Sequence, residues 1–111
     1  MGKFIKGDVV VVPFPFSDLS ASKRRPALVL VDLDGDDLIL SQITSQSVSD
    51  NLSISLESTD FQSGGLNLSS NIRPNKLFTA DENIVLYKAG SLKTEKFDEI
   101  VIKVKEMLDG K

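Results

Sequence analysis

Three short strings in this chain carry groups able to hold an anion: Lys23-Arg24-Arg25 directly before Pro26, Thr44-Ser45-Gln46, and Arg73 with Lys76 in the string IRPNK. Arginine grips a phosphodiester better than lysine does, because its planar fork donates two parallel hydrogen bonds and stays charged. A hydroxyl donor facing it completes a clamp. If the polymer so held is RNA, its own 2′-hydroxyl is an internal nucleophile, and the protein need only orient it and stabilise the charge that builds on the phosphorus oxygens. An arginine with a pKa of roughly 12 or more stabilises charge at neutral pH rather than moving protons. The same residues also fit a structural role, in which Arg24 and Arg25 pair with acids near the C-terminus and Thr44 merely ends a strand.

What the chain lacks narrows the chemistry. It has no histidine and no cysteine, which removes the commonest general base near neutral pH, the thiolate nucleophile and the usual transition-metal ligands. Carboxylates, hydroxyls, amides, Lys and Arg remain. No Gly-rich phosphate loop, metal-binding helix pair or nucleophile elbow is present, so neither a metal nor a cofactor is expected. With 13 Lys+Arg against 16 Asp+Glu the net charge is −3, a sum that does not favour nucleic acid. Much of the acid, however, lies in DLDGDD (Asp32 to Asp37) and toward the C-terminus, while Lys23, Arg24 and Arg25 stand together with no adjacent carboxylate. Local field rather than net charge steers an anion.

These groups must be positioned by one small domain. At 111 residues, 41% hydrophobic and 26% charged, residues 1–111 make a single unit with one modest core. MGKFIKGD is too polar for a signal peptide and no apolar run approaches the roughly 20 residues of a membrane helix, so a cytoplasmic protein without a membrane partner is expected. GDVVVVPFPF reads as a strand whose outgoing end, at Pro13 and Pro15, is an extended edge, with Phe14 and Phe16 covering the core. SDLSASKRR is a polar loop suited to mobility or binding. Pro26 forces Arg25 into extended backbone. PALVLVDLDGDDLILSQIT is a hairpin turning at Asp34-Gly35, and because its strands are antiparallel, Arg25 at the start of one and Thr44 at the end of the other come to the same sheet end. Leu52, Ile54 and Leu56 alternate as in a half-exposed strand. TDFQSGGLNLSS reads as a loop, SNIRPNKLFTA as an extended segment interrupted at Pro74, and NIVLYKAGSL as a last short strand. From Thr94 as N-cap, apolar residues at Phe97, Ile100, Val101, Val104, Met107 and Leu108 mark a helix that packs on the core and stops at Gly110. Five or six strands closed by one helix predict a mainly β fold, a small curled antiparallel sheet or barrel with the C-terminal helix packed on it.

The string KGDVVVVPFPFSDLSASKRRPALVL followed by ITSQ resembles the PemK/MazF toxins of bacterial type II toxin–antitoxin systems, in the branch opening Gly-Asp-hydrophobic-Pro-Phe-Pro-Phe-Ser-Asp. The likeness spans nearly the whole chain and is strongest over residues 6–46. It implies a homodimer of SH3-like barrels acting as a metal-independent, sequence-selective endoribonuclease on single-stranded mRNA, leaving a 2′,3′-cyclic phosphate and a 5′-hydroxyl. It further implies a cognate antitoxin whose acidic tail occupies the RNA groove, and DNA binding by the toxin–antitoxin complex. By motif match Arg25 corresponds to the family's catalytic arginine and Thr44 to its catalytic threonine. Ser45 and Gln46 then contact phosphate or base, and Lys23, Arg24, Arg73, Asn75 and Lys76 bind the strand on either side. Two positions depart from the family pattern. Some members carry Arg-x-Asp where this chain has Arg73-Pro74-Asn75, and Asn75 cannot act as a base. Many carry Arg-Thr where this chain has Phe78-Thr79. The alternative reading is a non-catalytic RNA- or peptide-binding barrel of the same family, and a weaker third is a purely structural partner of the antitoxin.

Overall fold

Four consecutive valines, Val9 to Val12, are each 5% exposed or less, which an edge strand or a strand with one wet face cannot achieve. A computed structural model describes residues 3–14 and 23–110, apart from the side chain of Phe14. The expected core role of Phe14 and Phe16 and the binding loop from Ser17 to Ser22 lie outside the described residues. The elements are β1 (Asp8–Phe14), β2 (Lys23–Asp32), β3 (Asp37–Thr44), β4 (Ile54–Leu56), β5 (Phe61–Gly64), β6 (Ser70–Asp81), β7 (Tyr87–Leu92) and α1 (Thr94–Leu108). They form one seven-stranded sheet in the order β4-β6-β3-β2-β1-β7-β5, antiparallel at every pairing.

Sheet order explains the valines. β1 is a central strand between β2 and β7, and both of its faces are covered. Val9 joins Leu28, Ile43, Ile72 and Leu92 in a core that receives Phe97 and Ile100 from α1. Val10 and Val12 join Ala27, Val29, Leu38 and Leu40 on the other side, under Phe4, Phe78, Ile84 and Val85. A strand buried on both faces reads as a continuous apolar run, and each such side chain contributes about 1.5–3 kcal/mol by leaving water. Pro13 is tolerated because β7 pairs with β1 only as far as Val11, whereas β2 follows it to Phe14. The outgoing end alone has the free edge expected of it, where a missing N–H leaves no ladder bond unmade.

The sheet must curl. β4 and β5 lie at its opposite edges, yet only Glu57 to Asp60 separate them in the chain, so the two edges are drawn together into a half-barrel. The corner is locked reciprocally: the Glu57 amide donates to the Asp60 carboxylate at 2.8 Å and the Asp60 amide donates to the Glu57 carbonyl at 3.0 Å. β5 itself is an addition to the expected five or six strands. Only Phe61 of its four residues is buried, so it shows no alternation, and pairing with β7 rather than its own pattern makes it a strand. At that pairing a Cβ on Gly90 would collide with the Ser63 carbonyl, which is why the two strands can approach only through glycine.

Pro74 does not interrupt β6. Ser41 pairs with Leu77 and Ile43 with Ile72, so Arg73, Pro74, Asn75 and Lys76 stand against Gln42 alone. Proline is accepted in this bulge because no ladder bond is asked of it. The carbonyl of Arg73, freed from the ladder, accepts a bond from the buried Ser41 hydroxyl at 2.7 Å.

The Asp34-Gly35 turn forms as expected, with Gly35 at φ +85° and the Leu33 amide closing onto the Asp37 carbonyl at 3.1 Å. The last strand is shorter than read from sequence, starting at Tyr87 after a single 3-10 turn at Glu82–Ile84. α1 begins at Thr94, but its cap is Lys93, with no side-chain cap bond. The Lys93 amide donates instead to the Asp60 carbonyl at 2.9 Å, so the barrel corner sets where the helix starts. Phe97 and Ile100 are buried and Val101 and Val104 pack partly on the core. Leu108, at 77% exposure, continues the stripe beyond it. Among the described residues no helix is long and apolar enough to cross a membrane.

Candidate functional site

β2 and β3 pair Leu28 with Ser41 and Ala27 with Gln42. That pairing stops at Ala27 and Gln42; Arg25 on β2 and Thr44 on β3 lie just beyond it, at the same end of the sheet. Each is steadied from its far side by another strand, Arg25 by Val12 of β1 and Thr44 by Asn71 of β6. Both line a single cavity of about 190 Å³, where Arg24 and Ser45 join them.

The electrostatics suit an anion. Among the described residues no carboxylate pairs with Lys23, Arg24 or Arg25; the ion pairs of the molecule lie elsewhere. The alternative in which the acids of α1 neutralise these arginines is therefore not the arrangement adopted: Glu99 bonds Lys96 at 3.3 Å instead. The Thr44 Oγ1 accepts a bond from the Gln46 amide at 3.2 Å, which occupies a lone pair and leaves its O–H to donate. Half-buried Arg25 and the Thr44 hydroxyl thus line one cavity at a sheet end. Such a pair can bind a phosphate and stabilise added charge on it.

The remaining residues expected at the site are distributed around it. Lys23 is exposed at the start of β2. Gln46 turns its amide back to Thr44, and its carbonyl accepts from Asn71 Nδ2 at 3.3 Å. Arg73 does not line the cavity. Its Nη2 donates to Asp50 Oδ2 at 3.0 Å, while its buried Nε has no hydrogen-bond partner among the described residues. Asp50 also accepts from the amides of Leu52 and Ser53 at 3.0 and 3.1 Å. The Leu52 amide bond is the largest influence holding the Asp50 carboxyl below the 3.8 usual for an aspartate; desolvation opposes it, and the Arg73 guanidinium and the Ser53 amide add to the lowering. Asn75 and Lys76 are exposed on the β6 bulge, opposite Gln42 and two residues along from Thr44.

A sequence profile of the family described as PemK-like, MazF-like toxin of type II toxin-antitoxin system matches residues 5–108. The chain belongs to this family. Solved structures of PemK/MazF-type toxins share its fold at low identity. A MazE–MazF complex from Deinococcus radiodurans is 18% identical, covering 96% of each chain with a TM-score of 0.76. An endoribonuclease bound to its cognate antitoxin, from a mycobacterial species, is 11% identical over 96% of this chain and 95% of that one, with a TM-score of 0.75. Toxin MazF-mt6 of Mycobacterium tuberculosis is 13% identical over 90% and 96%, with a TM-score of 0.68. No curated protein sequence matches the chain.

One wall of the cavity in this PemK/MazF toxin was not anticipated from the sequence. Leu66, Asn67, Leu68 and Ser70, from the loop joining β5 to β6 and its far end, line it together with the cations. A signal was present: two leucines one residue apart in a stretch otherwise built of Gly, Ser and Asn. Read as an ordinary loop, it gave no hint of which strand ends it would meet.

Proposed function

We propose that this toxin is an endoribonuclease that cuts single-stranded mRNA, with Arg25 and Thr44 around the scissile phosphate. The observation that supports this best is the cross-strand placement of Arg25 and Thr44 at one cavity, with no carboxylate paired to the guanidinium among the described residues. The guanidinium donates to the non-bridging oxygens and Thr44 donates from the other side. The ribose 2′-oxygen attacks phosphorus; the O2′–P bond forms as the P–O5′ bond breaks, the 2′-hydroxyl gives up its proton and the departing 5′-oxygen takes one up. The products are a 2′,3′-cyclic phosphate and a 5′-hydroxyl. Arg25 acts by stabilising the pentacoordinate phosphorane, worth about 10²–10³ in rate for a preorganised donor. Because the nucleophile belongs to the substrate, the chemistry calls for neither a metal nor a cofactor.

Lys23, Arg24 and Ser45 hold neighbouring phosphates, with Gln46, Asn75 and Lys76 further along the strand. Arg73, through Asp50, keeps the segment that follows Thr44 in place. Two structures of similar fold are complexes with an antitoxin, which supports a cognate antitoxin here, and an acidic tail suits the cations of β2, which pair with no carboxylate among the described residues. A second copy of the chain is proposed to cover the apolar face formed by Leu30, Val31, Ile39, Leu77, Val104 and Leu108. The cytoplasm, where mRNA is found, is the corresponding compartment.

The test is direct. Purified protein is incubated with a long single-stranded RNA in EDTA, and discrete fragments bearing 5′-hydroxyl ends are the expected result. RNA that is bound but left intact would replace this reading with a non-catalytic RNA-binding barrel.

A further inference from the structure

The cavity beside Arg25 is built for more than a phosphate. Its lining combines cationic and hydroxylic residues, Arg24, Arg25, Thr44 and Ser45, with apolar ones, Pro26, Leu66 and Leu68. Its volume of about 190 Å³ lies below the roughly 300–1,000 Å³ of pockets that take drug-sized ligands, which suits a group the size of a single planar ring. A bare anion gains nothing from leucine and proline walls; a flat heteroaromatic ring attached to the anion does, because its faces leave water. Leu68 is 65% exposed in this structure, apolar surface at the rim of a charged opening that a ring laid against it would cover.

We propose that the loop Gly65–Ser69 supplies a nucleobase subsite adjoining the phosphate held by Arg25 and Thr44, with Asn67 as its specificity-determining amide; this rests on the reading of the site as one that handles RNA. The Asn67 side chain has a donor and an acceptor, lines the cavity, and makes no side-chain hydrogen bond among the described residues. An amide of this kind can pair with the edge of an unstacked base. The loop that carries it is tied down at three points. The Gly65 amide donates to the Ala89 carbonyl at 3.1 Å, the Ser69 hydroxyl donates to Glu57 at 2.7 Å, and the Ser70 hydroxyl donates to the Leu68 carbonyl at 3.0 Å. A wall held in this way is ordered before ligand arrives, so binding a base costs little loop entropy.

Two measurements test the subsite. In the first, the isotope-labelled full chain is titrated, followed by NMR, with uridine 3′-monophosphate, adenosine 3′-monophosphate and inorganic phosphate in separate series. All three are expected to move Arg25 and Ser45, and only the nucleotides to move Leu66, Asn67 and Leu68. If nucleotides and phosphate perturb the same residues and leave 66–68 still, the inference is overturned. In the second, cleavage sites are mapped for wild type and Asn67→Ala on one RNA pool. A loss of about tenfold in discrimination at the base next to the cut is expected, and an unaltered base preference overturns the inference while leaving the endoribonuclease reading intact. Conversely, nucleotide-specific shifts at 66–68 in a protein that cuts nothing would uphold the subsite and sink the enzymatic reading.

Discussion

Arg73 Nη2 lies 3.0 Å from Asp50 Oδ2, so the arginine of IRPNK holds the segment that follows Thr44 instead of reaching into the cavity of Arg25. The bulge makes this possible. Four residues of β6 opposite one of β3 bring the Arg73 side chain to a carboxylate that already accepts the Leu52 and Ser53 amides.

That relationship has a pH signature. The Asp50 pKa is lowered in the folded protein, chiefly by the Leu52 amide bond with help from Arg73, so the folded state binds the proton more weakly than the unfolded one. Its contribution to stability is complete above the ordinary 3.8 and is lost as pH falls from there through the depressed value. Amide exchange at Leu52 and Ser53 is expected to accelerate on acidification through this window before the central strands respond. In Asp50→Asn the acceleration should vanish; unchanged pH dependence there would show that another group governs the segment.

Arg25→Ala should lower RNA cleavage by about 10²–10³ while changing stability by no more than about 0.5 kcal/mol, since among the described residues it breaks no ion pair. Single-turnover cleavage and a thermal melt read the two quantities separately. Cutting at the wild-type rate would remove Arg25 from the mechanism.

Ser41 is fully buried and its hydroxyl satisfies the Arg73 carbonyl at 2.7 Å. Ser41→Ala leaves that carbonyl without a partner at the bulge, a loss of about 1–3 kcal/mol, or on the order of 4–8 °C in melting temperature per kcal/mol for a domain of this size. Ser41→Thr, which keeps the hydroxyl, tests whether the bond rather than the volume matters; equal losses in both variants would point to packing.

The apolar face between α1 and the sheet exposes Leu77 at 40% and Leu108 at 77%. If a second copy covers it, light scattering after size exclusion will give twice the chain mass for wild type, and Leu77→Lys or Leu108→Lys will shift the population to single chains. A wild-type protein of single-chain mass at high micromolar concentration would refute the dimer.

Several features of this protein were legible from the sequence because they depend on neighbours along the chain. Asp34-Gly35 makes its turn whatever lies around it, and the hairpin it closes sets Arg25 near Thr44 by antiparallel geometry alone. The Phe97 and Ile100 stripe and the extended backbone imposed by Pro26 are likewise local. Tertiary structure decided the rest. β5 is a strand through pairing with β7, Lys93 rather than Thr94 caps α1 because Asp60 receives its amide, and Arg73 is spoken for by Asp50. Leu66, Asn67 and Leu68 reach the cavity only because the sheet curls and brings its two edges together. A contact between residues far apart in the chain depends on register and curvature, which are collective properties of the whole sheet; the local pattern of side chains specifies each strand's faces but not which distant loop will stand opposite them.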